Sequence, residues 1–233
     1  MWINKVVLFL IVHLAPLVLF AQIPASDMVA QMGRGINLGN VLSAPAEGNW
    51  SPAVTEQYFI DVAAAGFTNV RIPIDFFGTR TTDSNGIAST AGYSPSTGSA
   101  SNYTDNPETF TIDATYLTRI ETVIDWSLNQ GLVTILDFHG SNLKSEFIYT
   151  FDVEESEYTE PNSAKRAADN DKFRAIWSQV ADRFKNHSED LLFEVINEPY
   201  FHMSKSDMDT LNTDVLAVIR GSGGSNGTRN VII

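Results

Sequence analysis

Short apolar runs alternate with amphipathic stretches along most of this chain. Near-continuous apolar runs occupy residues 69–74, 133–138 and 191–196. Such runs are typical of strands that are buried on both faces of a parallel sheet. A further short strand is predicted within residues 32–40, and residues 230–233 have the pattern of a strand that is beginning. The apolar pattern therefore predicts five strands.

Each gap between these strands contains apolar residues at helical spacing. Ser51 and Pro52 predict the start of the first helix and Gly66 its end, while Asp113 and Gly131 bracket the second. The two later helices have apolar stripes at Phe173, Ile176, Trp177, Val180 and Phe184, and at Met208, Leu211, Val215 and Ile219. This alternation of strand and helix predicts a parallel sheet with helical crossovers.

Long polar loops follow the second and third predicted strands, whereas the returns from helix to strand are short. A doubly wound sheet and a (β/α)₈ barrel both fit the order of elements. The asymmetry of the loops favours a barrel whose active site lies on the loops after the strands. No GxGxxG sequence follows the first strand, so a doubly wound nucleotide enzyme has little support. The glycine-rich residues 221–227 predict one more loop.

The length of the chain limits how much of a barrel it can contain. A complete (β/α)₈ barrel typically takes ~250 residues, and here the fifth strand begins only at residue 230 of 233. We therefore expect an α/β fold, a (β/α)₈ TIM barrel truncated after about the fifth strand. Residues 22–233 would be the N-terminal part of a longer barrel domain.

The first 21 residues differ in kind from the rest. They combine Lys5 near the start, a short apolar run and a small residue, Ala21, at its end. This pattern is typical of a secretory signal peptide, so we expect cleavage between Ala21 and Gln22 and a secreted protein, extracellular or periplasmic. His13 and Pro16 interrupt the apolar run, which disfavours a stable membrane association.

Composition narrows the range of partners. The chain has a net charge of −13 and no cysteine. A strongly acidic protein is a poor partner for nucleic acid or for an anionic membrane, whereas neutral polymers such as polysaccharides remain open. With no disulfides, stability must come from the core, and the 43% hydrophobic content is sufficient for one.

Four polar residues lie within or directly after the predicted strands: Arg71, His139, Asn197 and Glu198. Taken singly, Arg71 could be a structural ion-pair partner and His139 a core histidine. Because the carboxyl ends of parallel strands meet at one edge of a sheet, the four side chains are expected to converge on one cleft. Glu198 would supply a carboxylate for proton transfer, and Pro199 would end the strand that positions it.

The segments GINLGN, VRIPI, LDFHG and FEVINEP, in this order, resemble glycoside hydrolase family 5, the cellulase family of retaining β-glycanases. The resemblance covers about residues 30–233. It implies that Glu198 is the general acid/base and that Asn197 contacts the sugar 2-hydroxyl. It also implies that Arg71 supports the nucleophile and that His139 lines the cleft.

The resemblance also marks what this chain lacks. Gly140 stands where many members have a second histidine. The nucleophilic glutamate of the family is expected beyond Ile233. A polypeptide that consists of these 233 residues alone is therefore expected to be inactive. No cofactor is implied, and Asp137, His139 and His202 do not form a convincing metal site.

Several other residues are candidates for supporting roles. Glu194 shares strand parity with Glu198, so it should face the barrel interior and need a partner there. Arg71 is the candidate partner. Loop residues can contact a sugar, and loop aromatics can stack on it, although loop aromatics more often pack against their own loop. The candidate substrate-binding residues are Asn40, Trp50 and Tyr103.

Together these features predict a secreted glycosidase that hydrolyses O-glycosyl bonds in a β-linked polysaccharide with retention. The most specific prediction is an endo-1,4-β-glucanase (cellulase) in glucan catabolism. The alternatives are another β-glycanase specificity (mannanase, xyloglucanase or lichenase) and a noncatalytic carbohydrate-binding barrel. We expect no cofactor, no nucleic-acid partner, and a monomer at full length.

Overall fold

The structure is a computed structural model that describes residues 22–44, 47–48, 50–76, 112, 114–139, 164–199 and 204–233. The predicted signal peptide (residues 1–21), Tyr103, Asp113, Gly140 and His202 lie outside the described residues, as does the long loop predicted over residues 79–112, apart from Ile112. Among the described residues, no helix is both long enough and apolar enough to cross a bilayer.

The described strands form one sheet in which five parallel strands follow each other in chain order. The strands are β1 (Gly35–Asn37), β2 (Asn69–Ile74), β3 (Val133–Phe138), β4 (Leu191–Glu194) and β5 (Val231–Ile232). Consecutive order is that of a barrel, because a doubly wound sheet reverses its strand order partway. The predicted α/β fold with parallel strands is confirmed.

Helices precede the sheet and connect its strands. They are α1 (Ala25–Met32), α2 (Glu56–Ala64), α3 (Ala114–Asn129), α4 (Ala164–Phe184), α5 (Lys205–Gly221) and a short 3₁₀ helix (Gly224–Gly227). The positions of β2 and β3 agree with the sequence prediction, as does α3 between them. The predicted loop over residues 221–227 is in fact the end of α5 followed by the 3₁₀ helix.

The two faces of the sheet bury different sets of side chains. The main core lies between the sheet and the helices and includes Ile72, Leu136 and Phe193. A smaller apolar cluster forms on the opposite face around Val133 and Ile135. We call this opposite face the inner face. Because side chains alternate along a strand, every second residue of β2, β3 and β4 is directed to the inner face, where the candidate site lies.

Helix α1 closes the amino-terminal end of the inner face. Its residue Met28 is 1% exposed and packs in the inner apolar cluster. The segment before the helix is tied down by the Ile23 amide, which donates to Glu189 Oε2 at 3.3 Å, and by Asn230 Nδ2, which donates to the Ile23 carbonyl at 2.9 Å. Sequence analysis missed α1, because eight residues with one buried side chain carry little periodic signal.

The start of α2 was predicted wrongly. Ser51 and Pro52 lie in an irregular segment, and the helix begins at Glu56 after an extended Thr55. A serine followed by proline is compatible with a helix start, but it is equally compatible with a turn or an extended segment. The C-terminal end agrees with the prediction, since Gly66 takes a φ of 82° just after the helix.

Candidate active site

The site lies at the carboxyl ends of β2, β3 and β4, on the inner face. Arg71 pairs in register with Ile135, and Asp137 pairs with Glu194. Since paired residues of parallel strands point to the same face, three charged residues on three adjacent strands converge. Beyond β4, the backbone N–H of Asn197 donates to the backbone carbonyl of Phe138 at 3.0 Å. This bond holds residues 197–199 against β3.

Arg71 is the hub of the site. Its Nε and Nη2 atoms donate to the two carboxylate oxygens of Glu194 at 2.6 and 2.7 Å, a bidentate contact. Nη2 also donates to Oδ1 of Asn197 at 2.8 Å. The prediction that Glu194 has Arg71 as its partner is confirmed. The same guanidinium therefore fixes both the carboxylate of Glu194 and the side-chain amide of Asn197.

Asp137 connects Arg71 to His139. Its Oδ2 lies 2.9 Å from Arg71 Nη2 and 3.0 Å from His139 Nδ1, and its side chain is fully buried. Sequence analysis considered Asp137 only as a metal ligand and missed this role. Strand parity could have predicted the Asp137–His139 contact, since residue 139 directly follows β3 and is two positions from residue 137, but not the contact of Asp137 with Arg71.

Burial and charge shift the pKa values of this cluster. Burial alone would lower the pKa of the Arg71 guanidinium, but its hydrogen bond to Glu194 and the charges of Asp137, Glu194 and Glu198 outweigh that effect and raise the pKa. Burial raises the pKa of the Asp137 carboxyl, although His139 and Arg71 both act to lower it.

Glu198 has an unusual backbone. Its φ is 43°, in the left-handed region that non-glycine residues adopt rarely, at a cost of about 1–2 kcal/mol. Unlike the buried Asn197 beside it, Glu198 is exposed, and it borders a cavity of about 410 Å³ with Glu194 and Pro199. Backbone strain of this kind is concentrated at functional sites because it aims a side chain.

The structure describes two of the three candidate substrate-binding residues, Asn40 and Trp50. Asn40 is exposed with a φ of 62°, and Trp50 is 58% exposed. Within the described part of the chain, no hydrogen bond links either of them to Arg71. Sequence analysis missed Asn37, whose Oδ1 lies 3.5 Å from Arg71 Nη1 and which lines a cavity of about 300 Å³ beside the loop after β1.

The described residues of the site do not form a set of metal ligands. Among the described residues, no group of three or more histidine, cysteine or acidic side chains could hold a metal ion. The acidic side chains on the inner face are instead paired with Arg71. What the arrangement offers chemically is an exposed carboxylate next to an oriented amide, with a histidine and a fixed positive charge close by.

Comparison with known proteins agrees with this arrangement. The profile of the family described as Cellulase (glycosyl hydrolase family 5) matches residues 29–233. Endoglucanase H of Acetivibrio thermocellus is 38% identical over 207 residues, which are 89% of this chain and 18% of that protein. The chain therefore spans less than a fifth of the length of this relative.

Solved structures give a similar result. A tri-modular endo-β-1,4-glucanase of family 5, subfamily 4, from Bacillus licheniformis in complex with cellotetraose is 34% identical, with a TM-score of 0.62 over 89% of this chain and 33% of that chain. A family 5 xyloglucanase from Paenibacillus pabuli in complex with ligand is 27% identical, with a TM-score of 0.64 over 88% of this chain and 52% of that chain.

Proposed function

Because the chain belongs to glycosyl hydrolase family 5, the cellulase family, we propose that it supplies the acid/base side of a secreted retaining endo-1,4-β-glucanase. The observation that carries this proposal is the hydrogen bond from Arg71 to Asn197, which orients the amide next to the exposed carboxylate of Glu198. Secretion is proposed from the composition of residues 1–21.

The geometry is suited to the first half of a double displacement. A retaining glycosidase uses two carboxyl groups about 5–5.5 Å apart, one as acid/base and one as nucleophile. Glu198 is the carboxylate directed to the cleft, so it would protonate the leaving glycosidic oxygen and later remove a proton from water. Asp137 and Glu194 are both paired with Arg71, which makes them poor candidates for either role.

Asn197 and Arg71 would bind and orient rather than transfer protons. Arg71 holds the Oδ1 atom of Asn197, so the Nδ2 end of the amide is directed away from the guanidinium. That end can donate to a sugar hydroxyl, and hydrogen bonds to the 2-hydroxyl strengthen in the transition state. The raised pKa of Arg71 keeps a permanent positive charge beside the reacting centre.

Cellulose-type β-1,4-glucan is the substrate class that we favour. The relatives reported above include an endoglucanase and an endo-β-1,4-glucanase bound to cellotetraose, which supports this choice. Xyloglucan is the second candidate, because the similar structure from Paenibacillus pabuli is a xyloglucanase. Rates on carboxymethyl-cellulose, xyloglucan, mannan and lichenan would separate these specificities.

The acid/base role is tested by Glu198→Gln in the full-length protein. We expect hydrolysis of polymeric β-glucan to fall by roughly 10²–10⁴-fold. A substrate with a good leaving group, such as a dinitrophenyl β-cellobioside, should still form the covalent glycosyl-enzyme, because its departure needs no proton. A burst of dinitrophenol followed by slow turnover is the expected time course.

The matched control is Glu56→Gln, which removes a charge from an exposed residue in the first turn of α2. This control should retain the rate of the unmodified protein on both substrates. Near-normal hydrolysis of polymer by Glu198→Gln, or loss of the burst in a variant with an unchanged circular dichroism spectrum, would remove Glu198 from the acid/base role.

A further inference from the structure

The contact between Asp137 and His139 determines which nitrogen of the His139 ring faces the carboxylate. His139 Nδ1 lies 3.0 Å from Asp137 Oδ2, and the same oxygen lies 2.9 Å from Arg71 Nη2. The Asp137 side chain is fully buried, whereas that of His139 is 29% exposed. The ring therefore presents Nδ1 to a buried carboxylate, while the described residues make no hydrogen bond to Nε2 of this partly exposed side chain.

The position of the proton on this ring follows from the two neighbours of Asp137 Oδ2. A guanidinium is a permanent donor, so a proton bound to Oδ2 would be repelled by the charge 2.9 Å away. If Asp137 takes up a proton, that proton belongs on Oδ1, which has no hydrogen-bond partner among the described residues. In either state Oδ2 accepts, and His139 Nδ1 must donate.

We infer that Asp137 is a positioning residue that holds His139 in the tautomer protonated at Nδ1, so that Nε2 faces the cleft as a hydrogen-bond acceptor. An imidazole in this state accepts a hydrogen bond from a hydroxyl group but cannot donate one from Nε2. A sugar hydroxyl in contact with His139 would therefore be the donor. This last step rests on the proposed function, whereas the tautomer does not.

A competing explanation makes Asp137 only a counter-ion for Arg71. Glu194 already fills that role through its bidentate contact, and the structure gives it no contact with His139 among the described residues. Variants of Glu194 and Asp137 can therefore be compared to separate the two explanations. Removal of Glu194 perturbs Arg71 alone, whereas removal of Asp137 perturbs both Arg71 and His139.

Nitrogen NMR of the full-length protein reads the tautomer directly. With ¹⁵N-labelled histidine, the signals of His139 are identified by their absence in His139→Gln. At a pH at which the ring is neutral, we expect Nδ1 to be protonated and Nε2 unprotonated in the unmodified protein. Protonation of Nε2 instead would overturn the inference, whatever the activity of the protein proves to be.

Two substitutions at Asp137 distinguish the effect of its hydrogen-bond acceptor from the effect of its charge. Asp137→Asn keeps an oxygen facing Arg71 and Nδ1, so the tautomer should persist. Asp137→Ala removes the acceptor, so the ring should shift toward the form protonated at Nε2. Glu194→Gln should leave the His139 signals unchanged. An unchanged tautomer in Asp137→Ala, or a shift of equal size in Glu194→Gln, would contradict the assignment.

A double-mutant cycle tests whether Asp137 acts through His139. We expect Asp137→Ala to lower kcat/KM roughly 10- to 100-fold, the scale of one hydrogen bond to a charged group. The activity should be largely restored in Asp137→Asn. In the His139→Gln background the loss caused by Asp137→Ala should be clearly smaller, because only the part that acts through Arg71 remains. Equal losses in both backgrounds would show action through Arg71 or the fold. If Asp137→Ala does not fold, the unmodified protein and Asp137→Asn still decide the tautomer.

Discussion

At the scale of single residues, the site is organised by one guanidinium. Arg71 contacts Glu194, Asn197 and Asp137 through its Nε and Nη2 atoms, and its side chain is 20% exposed. A charge that is this far removed from water needs partners on all sides. Arginine meets this need because its planar fork offers five donors, whereas lysine offers a single point charge.

We therefore expect Arg71→Lys to be damaging even though it retains the charge. An ammonium group cannot bind both oxygens of Glu194 and also orient Asn197, so kcat on β-glucan should fall by about 10²-fold. The free energy of unfolding should fall by roughly 1–3 kcal/mol. Urea denaturation and steady-state kinetics of the full-length protein measure both effects.

Arg119→Lys is the matched control for this prediction. Arg119 makes a comparable bidentate contact, to Glu47 at 3.0 and 2.7 Å, and its side chain is 15% exposed. It lies on α3 and not in the Arg71 network. The control should lose stability but keep kcat. Equal losses of kcat in the two variants would show that Arg71 acts only through the fold.

At the scale of elements, the turn between α4 and β4 is held by a buried arginine from just before β5. Arg229 is 0% exposed. It donates to the carbonyl oxygens of His187 at 3.0 Å and Ser188 at 2.6 Å, and also to those of Phe184 and Leu191. The Phe184 carbonyl lies at the end of α4, that of Leu191 at the start of β4, and the other two in the turn between them. A carbonyl at the end of a helix has no helical donor, so a side chain can supply one. Burial lowers the pKa of Arg229 to about 10, so it stays a cation at neutral pH.

The 3₁₀ helix before β5 positions Arg229 next to the turn between α4 and β4. Ser225 donates its amide to the Lys185 carbonyl at 2.7 Å, and Asn226 Oδ1 accepts from Arg229 Nε at 2.6 Å. A Cβ atom on Gly224 would lie 2.3 Å from the Lys185 carbonyl oxygen, and the residue has a φ of 58°. Glycine is therefore required where this segment approaches the end of α4.

We expect Arg229→Lys to destabilise the protein by roughly 2–4 kcal/mol, because several buried carbonyls lose their donor at once. The measurement is the midpoint of urea denaturation of the full-length protein. Arg34→Lys is the control, since Arg34 is exposed and its one described side-chain contact is with the ring of Phe67 at 4.5 Å. That change should stay within about 0.5 kcal/mol. A similar small effect at Arg229 would contradict the role assigned to it.

At the scale of the whole molecule, the described sheet has two edges. β1 and β5 each pair with one neighbour in it, and next to the second edge Ile232 is 37% and Ile233 73% exposed. Unpaired strand edges with apolar side chains template association between chains. The exposed apolar residues on helices, Val29 and Ile60, do not offer unpaired backbone groups in the same way.

A polypeptide of residues 22–233 is therefore expected to self-associate through β5. Ile232→Lys should reduce this association, because a charge on an edge strand opposes strand addition. Light scattering coupled to size-exclusion chromatography measures the mass of the particles. Val29→Lys is the control: Val29 is 68% exposed but lies on the helix α1, where it is not part of a strand edge. A monomer before substitution, or equal effects of the two lysines, would refute the assignment of the edge.

The sequence by itself determined the elements whose signal is local. The segments of β2 and β3, in which four of the six residues are apolar, are typical of buried parallel strands. Chain order then placed Arg71, His139 and Glu198 within or after neighbouring strands, since consecutive parallel strands joined by helices lie side by side. Strand parity directed Glu194 to the interior and made Arg71 its candidate partner, which the contacts confirm.

Only the tertiary structure decided the contacts between distant segments. Asp137 became the link between Arg71 and His139 because two strands bring their side chains to the same oxygen. The left-handed backbone of Glu198 depends on how the NEP segment is tied to β3. Arg229 is buried because it meets carbonyls about forty positions earlier in the chain. Such pairings leave no periodic trace in the sequence, since their energy arises only when the segments pack together.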